Sequence, residues 1–313
     1  MTLLVPVPCC RFGIGHCLRE NGPRWGYFPE PIKCVLIVKP GKEAEAHQIF
    51  DDLGLSITHS YRFLGGVVGS TQQAREKYVE SKVKRWIECI HELAHAAKKS
   101  PQAAHSAFTK SMQNEWAFVQ RVVEGCRDQY APLQNIIREE FIPSLMGYNV
   151  SGIEATLLEL PARVGGIGIS NPILTAEDTF VTSSESTRML STAIKEGTPL
   201  DTIAHLEHAR HSMFESRKCR NEREKRASLD AISALPDRRR RTVERIVEGR
   251  ASQWLTVVPL ASDSFDLSAS QFRDAMALRY GHELEGLPEN CDGCGTVMDV
   301  THALNCKKGG LVK

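Results

Sequence analysis

The sequence predicts a mainly α fold: a small, incomplete α+β piece, a helical bundle, a charged helical linker, and a small C-terminal unit with clustered cysteines. Three observations predict it. Apolar residues recur at helical spacing from about residue 72 onward. Short Val/Ile-rich runs bounded by Pro or Gly gather in the first 70 residues. Three of the ten cysteines lie together near the C-terminus. The chain has 313 residues, 42% of them hydrophobic and 25% charged, which is an ordinary globular composition. That length suggests about two domains. The formal net charge is +1, so any affinity for nucleic acid or membrane must come from local patches. No apolar run approaches the roughly 20 residues needed to span a bilayer. Met1 to Pro8 has no basic flank and reads poorly as a leader. The remaining cysteines are scattered through helical or strand-like segments, so a thiol-rich intracellular protein, cytoplasmic or nuclear, is expected.

Residues 1–20 match no recognisable pattern, and the Cys9-Cys10 pair within them has no assignment. Residues 33–39 form a buried-strand signal between Pro31 and Pro40. Glu43 to Phe50 is a short helix ending near Gly54. Residues 61–69 are a strand, a glycine turn and a second strand. Two or three strands need neighbours to make a stable sheet, so residues 21–70 are an incomplete α+β piece. A bundle follows over 71–172. Val79, Val83, Trp86, Ile87, Ile90, Leu93 and Ala97 share one helix face. Ser100-Pro101 is a restart, with Ser at the cap and Pro at the first helical position. The next helix buries Ala104, Phe108, Met112, Trp116 and Val119 and stops near Gly125. A third runs from Pro132 to a break at Pro143. Ser151 with Glu154 forms a capping box opening a fourth. The glycine-rich stretch Pro161 to Pro172 matches no phosphate-loop spacing and predicts a tight connection.

Residues 173–254 form the charged helical linker. Between 210 and 250 there are 13 basic and seven acidic residues. The run Arg238, Arg239, Arg240 and Arg241 has two readings: phosphate contacts, or the solvated start of a helix. His205, His208 and His211 lack an acidic or Cys partner and read as surface histidines. Residues 255–313 hold a helix with Phe272, Ala275, Met276 and Tyr280, capped by Ser268 and Gln271 and expected to pack on the final unit. That unit carries Cys291, Cys294, His302 and Cys306, spaced C-x2-C-x7-H-x3-C. Thiols two residues apart wrap a tight turn toward one point, eased by Gly293 and Gly295. Ligands four apart on a helix share a face. Four such ligands suit tetrahedral Zn²⁺ and leave no open position, so the expected zinc is structural rather than catalytic.

Several segments in this order resemble LINE-type (non-LTR) retrotransposon reverse transcriptases. They are Gly22-Pro-Arg-Trp-Gly-Tyr-Phe-Pro-Glu-Pro-Ile-Lys33 with its following strand, the Phe63 to Gly69 hairpin, Leu160 to Pro172, Phe272 to Gly281, and the CCHC cluster. The resemblance implies that residues 22–40 are a last palm segment, 61–69 a primer-grip-like hairpin, 72–160 a thumb and 255–313 a zinc-bearing tail. It places Lys33 where the family has a palm lysine near the incoming nucleotide. Polymerase chemistry needs carboxylates that hold two Mg²⁺ ions. The family carries them in a Tyr/Phe-x-Asp-Asp turn and an earlier strand, both N-terminal to Gly22, and Asp51-Asp52 lacks the aromatic residue of that turn. The expectation is therefore a C-terminal reverse-transcriptase fragment, inactive alone, with RNA or DNA as partner and no membrane association. The rival is a repurposed protein-interaction module whose tail zinc stabilises.

Overall fold

The computed structural model describes residues 20–26, 28, 30, 34–51, 54–69, 71–249, 251–284 and 286–308. The fold is mainly helical, with two small two-stranded sheets, as expected. In chain order the first elements are β1 (Val35–Ile37), α1 (Glu43–Phe50), β2 (Ser56–Thr58), β3 (Ser60–Phe63), β4 (Gly66–Gly69) and α2 (Gln72–Lys99). Next come α3 (Pro101–Ala107), α4 (Gln113–Val122), α5 (Ala131–Ile136), α6 (Ile142–Met146) and α7 (Gly152–Leu158). The remainder are α8 (Pro172–Ser186), α9 (Arg188–Glu196), α10 (Thr202–Ser233), α11 (Asp237–Glu248), α12 (Ala269–Tyr280) and α13 (Val300–Asn305). Among the described residues, no helix is long and apolar enough to cross a membrane.

The chain forms two compact units, each discontinuous in sequence. The first comprises Met1–Arg85, Trp116–Ala131 and Pro172–Arg217. In it β1 pairs in parallel with β2, Leu36 opposite Ile57, with α1 as the intervening helix. β3 and β4 form an antiparallel hairpin closed by Leu64 and Gly65, whose φ values are 46° and 82°. Two successive positive φ angles match the right-handed strand twist, which is the geometry of a two-residue hairpin. A Cβ added to Gly65 would sit 2.9 Å from the Phe118 ring, and one on Gly66 would sit 2.9 Å from Val122. The glycines thus let the hairpin lie directly on α4. Tyr78 of α2 donates to the Gly65 carbonyl at 2.5 Å and fixes the turn.

The second unit comprises Trp86–Glu115, Pro132–Asn171 and Lys218–Lys313. Its core holds Trp86, Ile90, Ala94 and Ala97 from α2, with Phe108, Ile137, Phe141, Leu145, Leu157 and Leu158. The predicted α2 face is therefore right in phase, with Ala94 taking a buried place while Ile87 and Leu93 are only half-buried. Two π turns, Phe108–Met112 and Ile137–Phe141, interrupt the helices around this core. Phe108 and Phe141 stack there with ring centroids 4.7 Å apart. Met112, expected inside, is only half-buried just after that wide turn.

Three local expectations are corrected. The predicted break at Pro143 does not occur. A π turn shifts the hydrogen-bonding phase just upstream, so the helix carries Pro143 within α6 and ends at Gly147, φ 83°. Ser100 stands at the start of α3, but its side chain makes no cap bond. Ser151 does cap α7, accepting from the Glu154 amide at 3.3 Å, yet the Glu154 carboxylate is buried and engaged elsewhere. Two residues of the apolar face of α12 meet other parts of the second unit. Phe272 meets Trp254 edge-on at 5.9 Å, and the Tyr280 hydroxyl donates to the Gly165 carbonyl at 2.8 Å.

The Pro161–Pro172 stretch is the tight connection predicted. A Cβ on Gly166 would fall 1.8 Å from the Leu160 carbonyl oxygen, so only glycine fits. Its carbonyls are claimed by distant side chains: Val164 by Ser228 at 2.7 Å, Gly166 by Arg279 at 3.1 Å and Ile167 by His105 at 2.7 Å. Buried carbonyls need partners, and these donors supply them.

Candidate metal centre

The final segment folds into a knuckle. Asn290 and Val297 form a β-bridge, Cys291 N–H donates to Thr296 O at 2.8 Å, and Gly295 N–H donates to Cys291 O at 2.8 Å. Of the two glycines expected to ease the turn, Gly295 is the one at positive φ, 73°. The turn projects Cys291 and Cys294 to one side. Asp299 then caps α13, accepting from His302 N–H at 2.6 Å. That short helix sets His302 and Cys306 one turn apart, and Cys306 N–H donates to His302 O at 2.8 Å.

The four ligand atoms all lie within 4.8 Å of one another. Cys291 Sγ is 3.5 Å from Cys306 Sγ, Cys306 Sγ is 3.7 Å from Cys294 Sγ, and Cys294 Sγ is 3.1 Å from His302 Nε2. Two thiolates about 2.3 Å from a tetrahedral zinc stand roughly 3.8 Å apart, so the sulfur spacings fit that ion. Cys291 and Cys306 are buried, His302 is half-buried and Cys294 is exposed. The Thr296 hydroxyl lies 2.9 Å from Cys294 Sγ. This hydrogen bond favours the thiolate and holds the Cys294 thiol below its ordinary value. Outer-shell bonds of this kind orient ligands. Among the described residues, this is the one group of three or more His, Cys, Asp or Glu side chains that could hold a metal ion.

The arginine run opens α11, as the solvated-helix reading had it, but its four members do different things. Arg238 and Arg241 are exposed, and Arg238 lies 3.6 Å from Glu283. Arg240 pairs with Asp237 at 2.6 Å. Arg239 turns inward: its Nε donates to Tyr280 O at 2.9 Å, and a terminal nitrogen stands 2.8 Å from Glu154. That second contact is a charge contact rather than an aligned hydrogen bond. Arg239 is thus committed to the interior, while Arg238 and Arg241 face solvent and Arg240 is half-buried. Lys33 lies outside the described residues. Asp51 caps α1 and pairs with His47 at 3.1 Å. His208 donates to Glu185 O at 3.0 Å, and His211 is exposed.

Sequence reasoning missed a second cluster. The Glu154 carboxylate receives His282 Nε2 at 2.7 Å, Tyr148 OH at 2.8 Å and the Arg239 guanidinium. Burial alone raises the Glu154 carboxyl, but the hydrogen bonds from His282 and Tyr148 and the Arg239 charge outweigh it and hold the group below its ordinary value. Burial, with the adjacent carboxylate, pushes the Tyr148 phenol far up. The signal available was only Glu154 at the third helical position, where a capping box explains it sufficiently. Comparison with protein-family models, curated proteins and solved structures finds no match to this chain.

Proposed function

We propose that the chain acts as a nucleic-acid-binding C-terminal region of a LINE-type reverse transcriptase, with a zinc-ordered tail and no polymerase activity of its own. The observation that supports it best is the Cys3His knuckle, four ligand atoms within 4.8 Å at the end of a helical bundle. It is joined by the outward arginines Arg238, Arg240 and Arg241 at the start of α11. Tetrahedral ligation by four protein groups leaves no site for a substrate water, so the zinc organises the tail rather than performs chemistry.

Binding of the zinc-loaded chain to single-stranded RNA and to duplex DNA, measured across salt, tests the reading. Each phosphate contact adds to the salt slope, so affinity must fall steeply from about 50 to 200 mM salt. Arg238→Ala with Arg241→Ala must reduce that slope. A flat response, or no binding, rejects it. Extension of a primer on a template with Mg²⁺ would also reject it. The second reading is a zinc-stabilised protein-interaction module without nucleic-acid function. It is favoured by large apolar side chains left on the surface of α10, among them Ile203 and Phe214.

A further inference from the structure

Two histidines of α2 take no part in its packing. Trp86, Ile90, Ala94 and Ala97 form the buried stripe of its C-terminal half and fix how the helix is turned. That rotation leaves His91 and His95 exposed, four residues apart on the outward face. Side chains at this spacing have Cβ atoms about 5–6 Å apart, so two imidazoles can reach one ion. Glu140 reaches across from the π turn Ile137–Phe141, and its Oε2 lies 2.7 Å from His91 Nδ1. A carboxylate at that distance favours the proton on Nδ1 and leaves the lone pair of His91 on Nε2. Metal-bound histidines are oriented in this way, with one ring nitrogen on the ion and the other against a carboxylate. Glu88, one turn before His91, and Glu92 are exposed beside the pair and add negative charge, against Lys98 one turn after it.

His91-Glu92-Leu93-Ala94-His95 has the H-E-x-x-H spacing, in which zinc peptidases place two ligands and a general base on one helix. Catalytic zinc also takes a third protein ligand, in a cavity shaped to exclude bulk water. Here the pair stands in solvent, and among the described residues no third His, Cys, Asp or Glu ligand atom gathers with it. The arrangement therefore suits binding rather than cleavage.

We propose that His91 and His95 form a second metal site, open to solvent, for one late first-row divalent ion such as Cu²⁺, Ni²⁺ or Zn²⁺. Imidazole suits these ions, whereas Mg²⁺ and Ca²⁺ prefer oxygen ligands. Glu140 orients His91, and water fills the remaining positions on the ion. Two imidazoles hold an ion far more weakly than four protein ligands, so it exchanges and is lost on desalting, while the knuckle keeps its zinc. The inference is independent of the knuckle and of nucleic-acid binding.

Equilibrium dialysis of the untagged, desalted, zinc-loaded chain against Ni²⁺, with both metals counted by elemental analysis, tests it. The expected result is one nickel per chain with the zinc retained, undisturbed by a roughly tenfold excess of Mg²⁺. His91→Ala and His95→Ala must each weaken nickel uptake roughly tenfold or more, and Glu140→Gln by about tenfold. Both histidines are exposed, so their loss leaves the core of α2 intact, and a register control keeps the test valid should either variant unfold. His95→Ala with Ala96→His retains two histidines but turns them about 140° apart around the helix, and must lose the site. No nickel taken up at about 1 mM Ni²⁺ overturns the proposal. So does uptake indifferent to any of these variants, or a thiolate-to-nickel absorption band, which would place the ion on exposed cysteines such as Cys89.

Discussion

Two clusters in the second unit each gather four side chains about a point, and they are built in opposite ways. The knuckle draws Cys291, Cys294, His302 and Cys306 from 16 consecutive residues. The buried cluster draws Tyr148, Glu154, Arg239 and His282 from three separate segments of chain. The first needs an ion to hold it, because thiolates and an imidazole do not attract one another. The second supplies its own opposite charges. Local ligands therefore make a unit able to order or loosen by itself, whereas distant ones tie α7, α11 and the end of α12 into one cooperative body.

Removing the metal breaks the comparison most sharply. Structural zinc contributes on the order of 10 kcal/mol to small Cys/His units. Chelation, or Cys291→Ser, is therefore expected to abolish zinc binding and strip hydrogen-exchange protection from residues 286–308. Protection at Leu145, Leu157 and Phe272 should persist, since their packing involves no ligand. Exchange mass spectrometry with metal analysis reads both. Full protection of the tail without zinc, or collapse of the bundle with it, would contradict the division between a local and a distributed cluster.

Glu154→Ala should do the reverse. It leaves the largely buried Arg239 beside a buried phenol, without its carboxylate. Breaking a buried pair by removing one partner costs about 3–5 kcal/mol. The melting temperature of the second unit should drop by roughly 10 °C. Zinc stoichiometry should stay at one, because no ligand is touched. A loss of zinc with little change in melting would show that the clusters are not separable.

The same contrast explains what could be read from the sequence. The knuckle was legible because its geometry is a matter of spacing: a two-residue turn and a helical turn place four ligands with no help from the rest of the chain. The strand Val35–Ile37, the helix Glu43–Phe50 and the phase of α2 were legible for the same reason. What was lost depended on residues far apart. Glu154 satisfied a capping rule and so gave no sign of its burial. Four arginines in a row looked equivalent until α12 came to lie beside one of them. Pro143 reads as a stop unless one knows that Phe108 and Phe141 stack where two π turns widen the helices.

Acid pH separates the distributed contacts from one another. His105 is buried and donates to the Ile167 carbonyl. Burial dominates, and with Lys110 nearby it holds the imidazole below its ordinary value despite that bond. The unfolded chain therefore binds this proton first. The stabilisation from a neutral His105 is complete above the ordinary histidine value and is lost as pH falls below it toward the depressed folded one. Glu154 is likewise lowered in the folded state, the hydrogen bonds from His282 and Tyr148 and the Arg239 charge outweighing burial. Its contribution is complete above the ordinary carboxylate value and disappears as pH falls through the folded one, a window that opens at lower pH than that of His105. Denaturant midpoints of the second unit measured against pH should therefore decline in two steps. His105→Gln should flatten the upper step alone and Glu154→Ala the lower alone. The two effects should add, because the groups share no hydrogen-bond partner. A single step, insensitive to which residue is changed, would mean that acid acts on the packed glycine loop and the Glu154 cluster as one element.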